Sequence, residues 1–91
     1  MHVEPVEIYS DETNMAVLRH SSRRFPGVLI QGDDLYSLCW LADEACRLQA
    51  KNDPGYAELN RLRNALWSRL NHYKTVLVEH QIPLPFSEAG C

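Results

Sequence analysis

The segment that decides the fold is FPGVLIQGDDL, residues 25–35, because it holds a bend, an apolar run and a helix start in succession. Pro26 fixes its own φ, and Gly27 permits backbone conformations closed to other residues, so the pair predicts a bend. Residues 28–31 are apolar on both faces and partly β-branched, which favours a strand. A strand without a polar face is typical of the centre of a sheet, so this one is predicted to be central or well covered.

Two helices are predicted after this strand. The carboxylate of Asp33 or Asp34 can accept hydrogen bonds from the free amides of a first helical turn, which makes either residue a candidate N-cap. Apolar residues at helical spacing predict helix one over residues 35–51, and the segment NDPG, residues 52–55, ends it. Leucines separated by three and four positions predict helix two over residues 56–80.

Two more strands are predicted before the bend. Residues 3–9 alternate apolar and acidic side chains, and Pro5 indicates an edge strand. Residues 15–19 follow a polar turn, so the two runs predict an antiparallel hairpin. The chain of 91 residues, 45% of them hydrophobic, is long enough for one core. We therefore expect a single α+β domain over residues 1–91, a three-stranded antiparallel sheet packed against two antiparallel helices in the order β-β-β-α-α.

Composition excludes several classes of protein. Twelve acidic residues against nine Lys and Arg give a net charge of -3, which makes nucleic acid an unlikely partner. No apolar stretch reaches the length of a membrane span, and the first residues do not resemble a secretory signal. The three cysteines, Cys39, Cys46 and Cys91, are too few and too scattered for a disulfide framework. We expect reduced thiols and a cytoplasmic protein.

The sequence contains little that predicts catalysis. The histidines, at positions 2, 20, 72 and 80, have no partners at metal-site spacing, and no glycine-rich nucleotide motif occurs, so we expect no metal and no cofactor. Cys39 and Cys46 fall on the apolar stripe of helix one, where thiols are usually inert. Asp33 and Asp34 form an adjacent carboxylate pair that could perform acid–base chemistry or simply cap the helix.

Basic and aromatic side chains supply the candidate contacts with a partner. Two arginines follow the second strand, and helix two has more basic than acidic residues between positions 56 and 78. Either group could bind an acidic protein or phosphate. The tryptophans, Trp40 and Trp67, could belong to the core or to an interface, since aromatic residues dominate both. The candidate partner-binding residues are Arg23, Arg24, Arg63, Arg69 and Trp67.

The order of motifs in residues 25–35 resembles the amino-terminal domain of HicB-like antitoxins, over about residues 4–49. The segment IPLPFS, residues 82–87, is similar to the Pro-rich ending of that family. A long helix two stands where the family has a short strand and a second helix. The resemblance implies a truncated RNase H-like fold without catalysis, and binding to a small toxin. The whole chain also looks like small bacterial domains that share the opening VEIYSDETN, residues 6–14.

The sequence therefore predicts a non-enzymatic module that binds another protein, as an inhibitor of antitoxin or immunity type. Dimerisation through an edge strand or helix two is an additional expectation. A first alternative is a small nucleic-acid-associated regulator that uses the basic side of helix two, residues 56–80. A second alternative is a small enzyme with an acidic site at Asp33 and Asp34.

Overall fold

A computed structural model describes residues 1–13 and 15–87 of the chain. The elements are β1 (Val6–Ser10), β2 (Ala16–His20), β3 (Gly27–Leu29), α1 (Gly32–Leu48) and α2 (Tyr56–Glu79). The predicted three-stranded antiparallel sheet, the two helices and their order are confirmed. The chain divides into two compact units, Met1–Gln31 and Gly32–Cys91. The predicted packing of helices on the sheet and the single domain stay predictions.

In the first unit the strands lie in the order β1-β2-β3, with both neighbouring pairs antiparallel. β1 is an edge strand, as Pro5 predicted. The prediction that the third strand is central or well covered was wrong, because β2 occupies the centre, β3 is the other edge, and all three residues of β3 are exposed. Gly27 does not adopt a positive φ; it begins β3 opposite Leu18.

The register of the strands gives the sheet two different faces. Residues that lie opposite each other share a face, so Ile8 is beside Leu18, and Glu7 is beside Arg19. One face carries mainly apolar side chains, Val6, Ile8, Ala16, Leu18 and Leu29, together with His20. The other face holds the apolar pair Val17 and Val28 and the ion pair of Arg19 with Glu7, whose carboxylate also accepts from the Tyr9 hydroxyl at 3.3 Å. The register shifts between Ile8 and Ser10.

The second unit is a helical hairpin. α1 and α2 run antiparallel, since Gly32 at the start of α1 lies against the ring of Tyr73, late in α2, whereas Asp43 lies beside Arg63 and Trp67. α1 begins at Gly32, three residues before the predicted start, and ends at Leu48 rather than at residue 51.

The predicted N-cap at Asp33 or Asp34 was wrong, because both residues lie inside the first turn of α1. Their carboxylates still lie at the positive end of the helix dipole, where negative charge is stabilising. A Cβ at Gly32 would collide with the ring of Tyr73, so the position of this ring against the start of α1 requires glycine.

Leu35, Cys39 and Leu70 form the buried core of the hairpin. Five half-buried hydrophobic side chains surround them: Tyr36, Leu66, Trp67, Tyr73 and Phe86. The spacing of the leucines on α2 therefore predicts the inward positions of Leu66 and Leu70 correctly, whereas Leu62, which has the same spacing, is 55% exposed. In the part of the chain that the structure describes, no helix combines the length and the apolarity needed to cross a membrane.

The end of α2 is a Schellman motif that reverses the chain. Gln81 has a φ of 58°, and the amide of Ile82 donates to the carbonyl of Leu77 at 2.9 Å. The Pro-rich segment that follows brings Phe86 onto Tyr36, with parallel rings whose centroids are 4.4 Å apart. The hydroxyl of Tyr36 also donates to the carbonyl of Ser87. The Pro-rich segment therefore packs against the core of the hairpin through Phe86.

Candidate functional site

The connection between β2 and β3, residues 21–26, is the most basic exposed part of the first unit. Residues 15–32 contain three arginines and one histidine, and no acidic residue. Arg23 and Arg24 are both exposed. The guanidinium of Arg24 lies over the ring of Phe25, 5.4 Å from its centroid, and Phe25 itself is 72% exposed. A cation and an aromatic ring are thus presented together to solvent.

A shallow cleft of about 180 Å³ adjoins this connection. It is lined by Leu18, His20, Arg23, Phe25, Gly27, Val28 and Leu29. Most of these side chains are apolar, and two are basic. A volume below the roughly 300 Å³ of a typical small-molecule pocket suits a single side chain of a partner better than a cofactor.

Neighbouring carboxylates neutralise only part of the positive charge. Glu7 accepts hydrogen bonds from Arg19, which raises the pKa of that guanidinium further. Glu4 lies 3.4 Å from Nε2 of His20 and accepts from the hydroxyl of Ser21 at 2.8 Å. Among the described residues, Arg23 and Arg24 have no carboxylate within ion-pair distance. Of the arginines described in the first unit, Arg23 and Arg24 are therefore the two without an ion pair.

Ser22 and His20 form a pair that resembles a nucleophile beside a base. The Ser22 hydroxyl lies 2.7 Å from Nδ1 of His20, and Nε2 of the same ring faces Glu4. The backbone amide of Ser22 also donates to Nδ1, at 3.0 Å, so the ring closes the turn between β2 and the basic connection. Ser22 is not among the residues that line the cleft. The arrangement is that of a turn rather than of a reaction centre.

In the helical unit, Asp43 joins two of the predicted partner-binding residues. The indole Nε1 of Trp67 donates to Oδ1 of Asp43 at 2.9 Å, and Nε of Arg63 lies 3.9 Å from the same oxygen. Arg63 also donates to the side chain of Asn60 at 2.5 Å. Trp67 is half-buried against the core, whereas Trp40 on α1 is 43% exposed. Trp67 and Arg63 thus connect the two helices.

The basic residues of α2 do not form one face. At 100° per residue, Arg61 and Arg69 point outward, whereas Arg63 and Lys74 lie on the flank that faces α1. Arg69 donates to the carbonyl of Ala65 in the preceding turn, at 2.9 Å. The ammonium of Lys74 lies 5.9 Å from the centroid of the Trp67 ring. The charges predicted to form a basic side are spread around the helix.

The acidic pair at the start of α1, Asp33 and Asp34, interacts with the backbone of its own helix. The Asp33 carboxylate accepts from the backbone amide of Asp34 at 2.9 Å, and the Asp33 carbonyl accepts from the Ser37 hydroxyl. Within residues 1–13 and 15–87, no three His, Cys, Asp or Glu side chains are placed to hold a metal ion. The thiol of Cys39 is fully buried, and this burial, together with the charge of Asp43, raises its pKa. Cys91 lies outside the described residues.

The sequence identified Arg23 and Arg24 but missed the cleft beside them. Leu18, His20 and Phe25 line it together with β3, although Leu18 and Val28 are ten positions apart in the sequence. Part of the cleft could have been predicted, since the sequence shows a basic segment without acidic residues next to an apolar strand. The register of β2 against β3, which brings these residues together, cannot be recognised in the sequence.

The fold and this surface define a small α+β protein that presents apolar side chains and uncompensated arginines to solvent. The chain belongs to DUF6959, a family of unknown function whose model matches residues 1–86. The comparisons with curated proteins and with solved structures gave no significant match.

Proposed function

We propose that the protein is a non-enzymatic binding module that recognises another protein through the first unit. The observation that carries the proposal is the exposure of large apolar side chains beside Arg23 and Arg24. Phe25 and Val28 are 72% and 60% exposed, and Ile8 and Leu29 are exposed as well. Large exposed apolar side chains beside arginines are typical of protein interfaces, where arginine and aromatic residues contribute most of the binding energy.

The chemistry of the described side chains supports binding rather than catalysis. Cys39 and Cys46 are buried, and the raised pKa of Cys39 keeps its thiol protonated near neutral pH. Ser22 is engaged with His20 at the turn, outside the cleft. Asp33 and Asp34 lie at the amino end of α1 and interact with the helix backbone. Each candidate for reaction chemistry therefore has a structural role.

More specifically, we propose that the protein is an inhibitor of antitoxin or immunity type, as the resemblance to HicB-like domains implies. The protein acts in the cytoplasm, in keeping with the free thiols of Cys39 and Cys46. A homodimer is compatible with this role, because the edge strands β1 and β3 are available for pairing.

Site-specific photo-crosslinking tests the proposal. The chain is produced in its native cells with p-benzoylphenylalanine in place of Val28, and the matched control carries the same residue in place of Ser68, exposed on α2. We expect one protein to crosslink at position 28 and not at position 68. Mass spectrometry identifies it, and the purified partner should form a complex of defined stoichiometry with the unmodified chain.

Two results would contradict the proposal. One is an absence of any specific adduct at position 28. The other is an identical set of proteins captured from both positions, which would indicate that the label reacts without recognition. If the identified partner has a measurable activity, its loss on addition of one equivalent of the chain would establish the inhibitor form.

A further inference from the structure

We infer that the partner segment is acidic, and that it places an apolar side chain in the cleft against β3 while its carboxylates bind Arg23 and Arg24. This inference rests on the proposed function and specifies the chemistry of the partner. Its starting point is the geometry of the cleft, whose apolar wall comes from Leu18, Phe25 and Leu29. Arg23 forms part of the same lining, so charge and apolar surface meet in one place.

Charge complementarity identifies the occupant. Arg19 and His20 face the carboxylates of Glu7 and Glu4, whereas Arg23 and Arg24 face none among the described residues. The backbone carbonyl of Arg23 accepts from Nη1 of Arg19 at 3.0 Å, which fixes the connection while leaving the Arg23 guanidinium exposed. Guanidinium groups bind carboxylates in bidentate geometry, so two carboxylates near one apolar side chain match this surface.

A polypeptide fits the surface better than a nucleic acid does. The cleft is mainly apolar, and only two of the arginines described in the first unit lack an ion pair, whereas nucleic-acid affinity depends on neutralising many phosphates. In addition, β3 is an edge strand and offers free backbone groups to an extended segment. An extended acidic peptide can use all three features together.

The test uses ¹⁵N-labelled full-length protein and two acetylated hexapeptides. Each peptide has two central leucines; one has glutamates and the other has lysines at the four flanking positions. We expect the glutamate peptide to shift amide resonances within residues 18–29 and to leave those of α2 unchanged. The double variant Arg23→Glu/Arg24→Glu should bind it roughly tenfold more weakly, since two exposed charge contacts become repulsive.

The control variant is Arg61→Glu, an exposed charge reversal on α2 that should bind the glutamate peptide with unchanged affinity. Far-UV circular dichroism confirms that both variants fold, as expected for exposed side chains. Equal binding of the lysine peptide, or no binding of either peptide, would overturn the inference. It would also fail if decauridylate shifted residues 18–29 while the glutamate peptide did not.

The crosslinked partner separates failure of this inference from failure of the proposed function. If the protein captured at position 28 is captured equally well by the Arg23→Glu/Arg24→Glu variant, the module binds a protein but does not recognise acidic groups. We expect instead that the charge reversal abolishes most of the adduct. The loss should be partly reversed by Arg23→Lys/Arg24→Lys, which restores the charge without the bidentate geometry.

Discussion

Replacing Leu70 with alanine should destabilise the helical hairpin more than any comparable change on its surface. Leu70 is fully buried between Leu35 and Cys39. Removing its three outer carbon atoms from a buried site forfeits about 2.4 kcal/mol of transfer free energy. The cavity left behind raises the expected loss to about 3–4 kcal/mol. A chain of this length has a total stability of about 5–14 kcal/mol, so the variant should fold but melt early.

Urea denaturation followed by circular dichroism at 222 nm measures this loss, because α1 and α2 supply most of the helical signal. With a denaturant slope of about 1–2 kcal/mol per molar urea, the midpoint should fall by roughly 1.5–4 M. The slope itself should stay unchanged, since the alanine variant exposes nearly the same surface on unfolding. The fluorescence of Trp67, which packs on the same core, gives an independent probe of the transition.

Leu62 provides the matched control, because it is a leucine on the same helix that is 55% exposed. Its replacement by alanine removes the same atoms but should cost only about 1 kcal/mol, since less than half of the side chain is buried and no cavity forms. If the two variants lost equal stability, the assignment of the buried face of α2 would be wrong. A larger loss for Leu62 would place the hairpin interface on the flank of α2 that Leu62 occupies.

Three further changes test other features of the hairpin. Gln81→Gly should raise the stability by about 1 kcal/mol in urea denaturation, because glycine relieves the positive φ, whereas Glu79→Gly inside the helix should lower it by a similar amount. Gly32→Ala should cost about 1–3 kcal/mol through collision with the ring of Tyr73, and a double-mutant cycle with Tyr73→Leu should recover part of that loss. Burial raises the folded-state pKa of Cys39, so the contribution of its thiol to stability is fully present below the unfolded-state pKa, near the ordinary value of 9.0 for a cysteine. This contribution is lost as the pH rises through the folded-state pKa. The difference between wild type and Cys39→Ala in the fall of the urea midpoint from pH 8 to pH 10.5 measures that contribution; no difference would contradict it.

Local patterns were sufficient to predict the order of elements. Alternation identified β1 and β2, and leucine spacing identified α2 to within one residue of its end. The errors arose where distant residues decide the outcome. The apolar run of residues 28–31 predicted a central strand, but strand position depends on pairing, which places β3 at the edge. Similarly, the contact of Gly32 with Tyr73 joins residues 41 positions apart, which local patterns do not reveal.

In the candidate site, too, local features could be predicted from the sequence, whereas contacts between distant residues could not. Arg23 and Arg24 could be identified from composition alone, since they stand in a segment without acids. The lack of carboxylate partners for these two arginines could not be predicted, because it depends on Glu4 and Glu7 forming contacts with His20 and Arg19 between β1 and β2. Trp67 was predicted as a partner contact, yet its indole hydrogen bond joins it to a residue 24 positions earlier in the chain.

The hydrogen bond between Trp67 and Asp43 affects how α1 and α2 are aligned along each other. Leucine side chains pack almost equally well when one helix slides along the other by a full turn, so apolar contacts alone leave several alignments close in energy. A slip of one turn, about 5.4 Å, would leave the indole and the carboxylate each without its partner. Asp43 therefore selects a single alignment of the hairpin, and its replacement by leucine should yield a protein that is folded yet heterogeneous in its NMR spectrum.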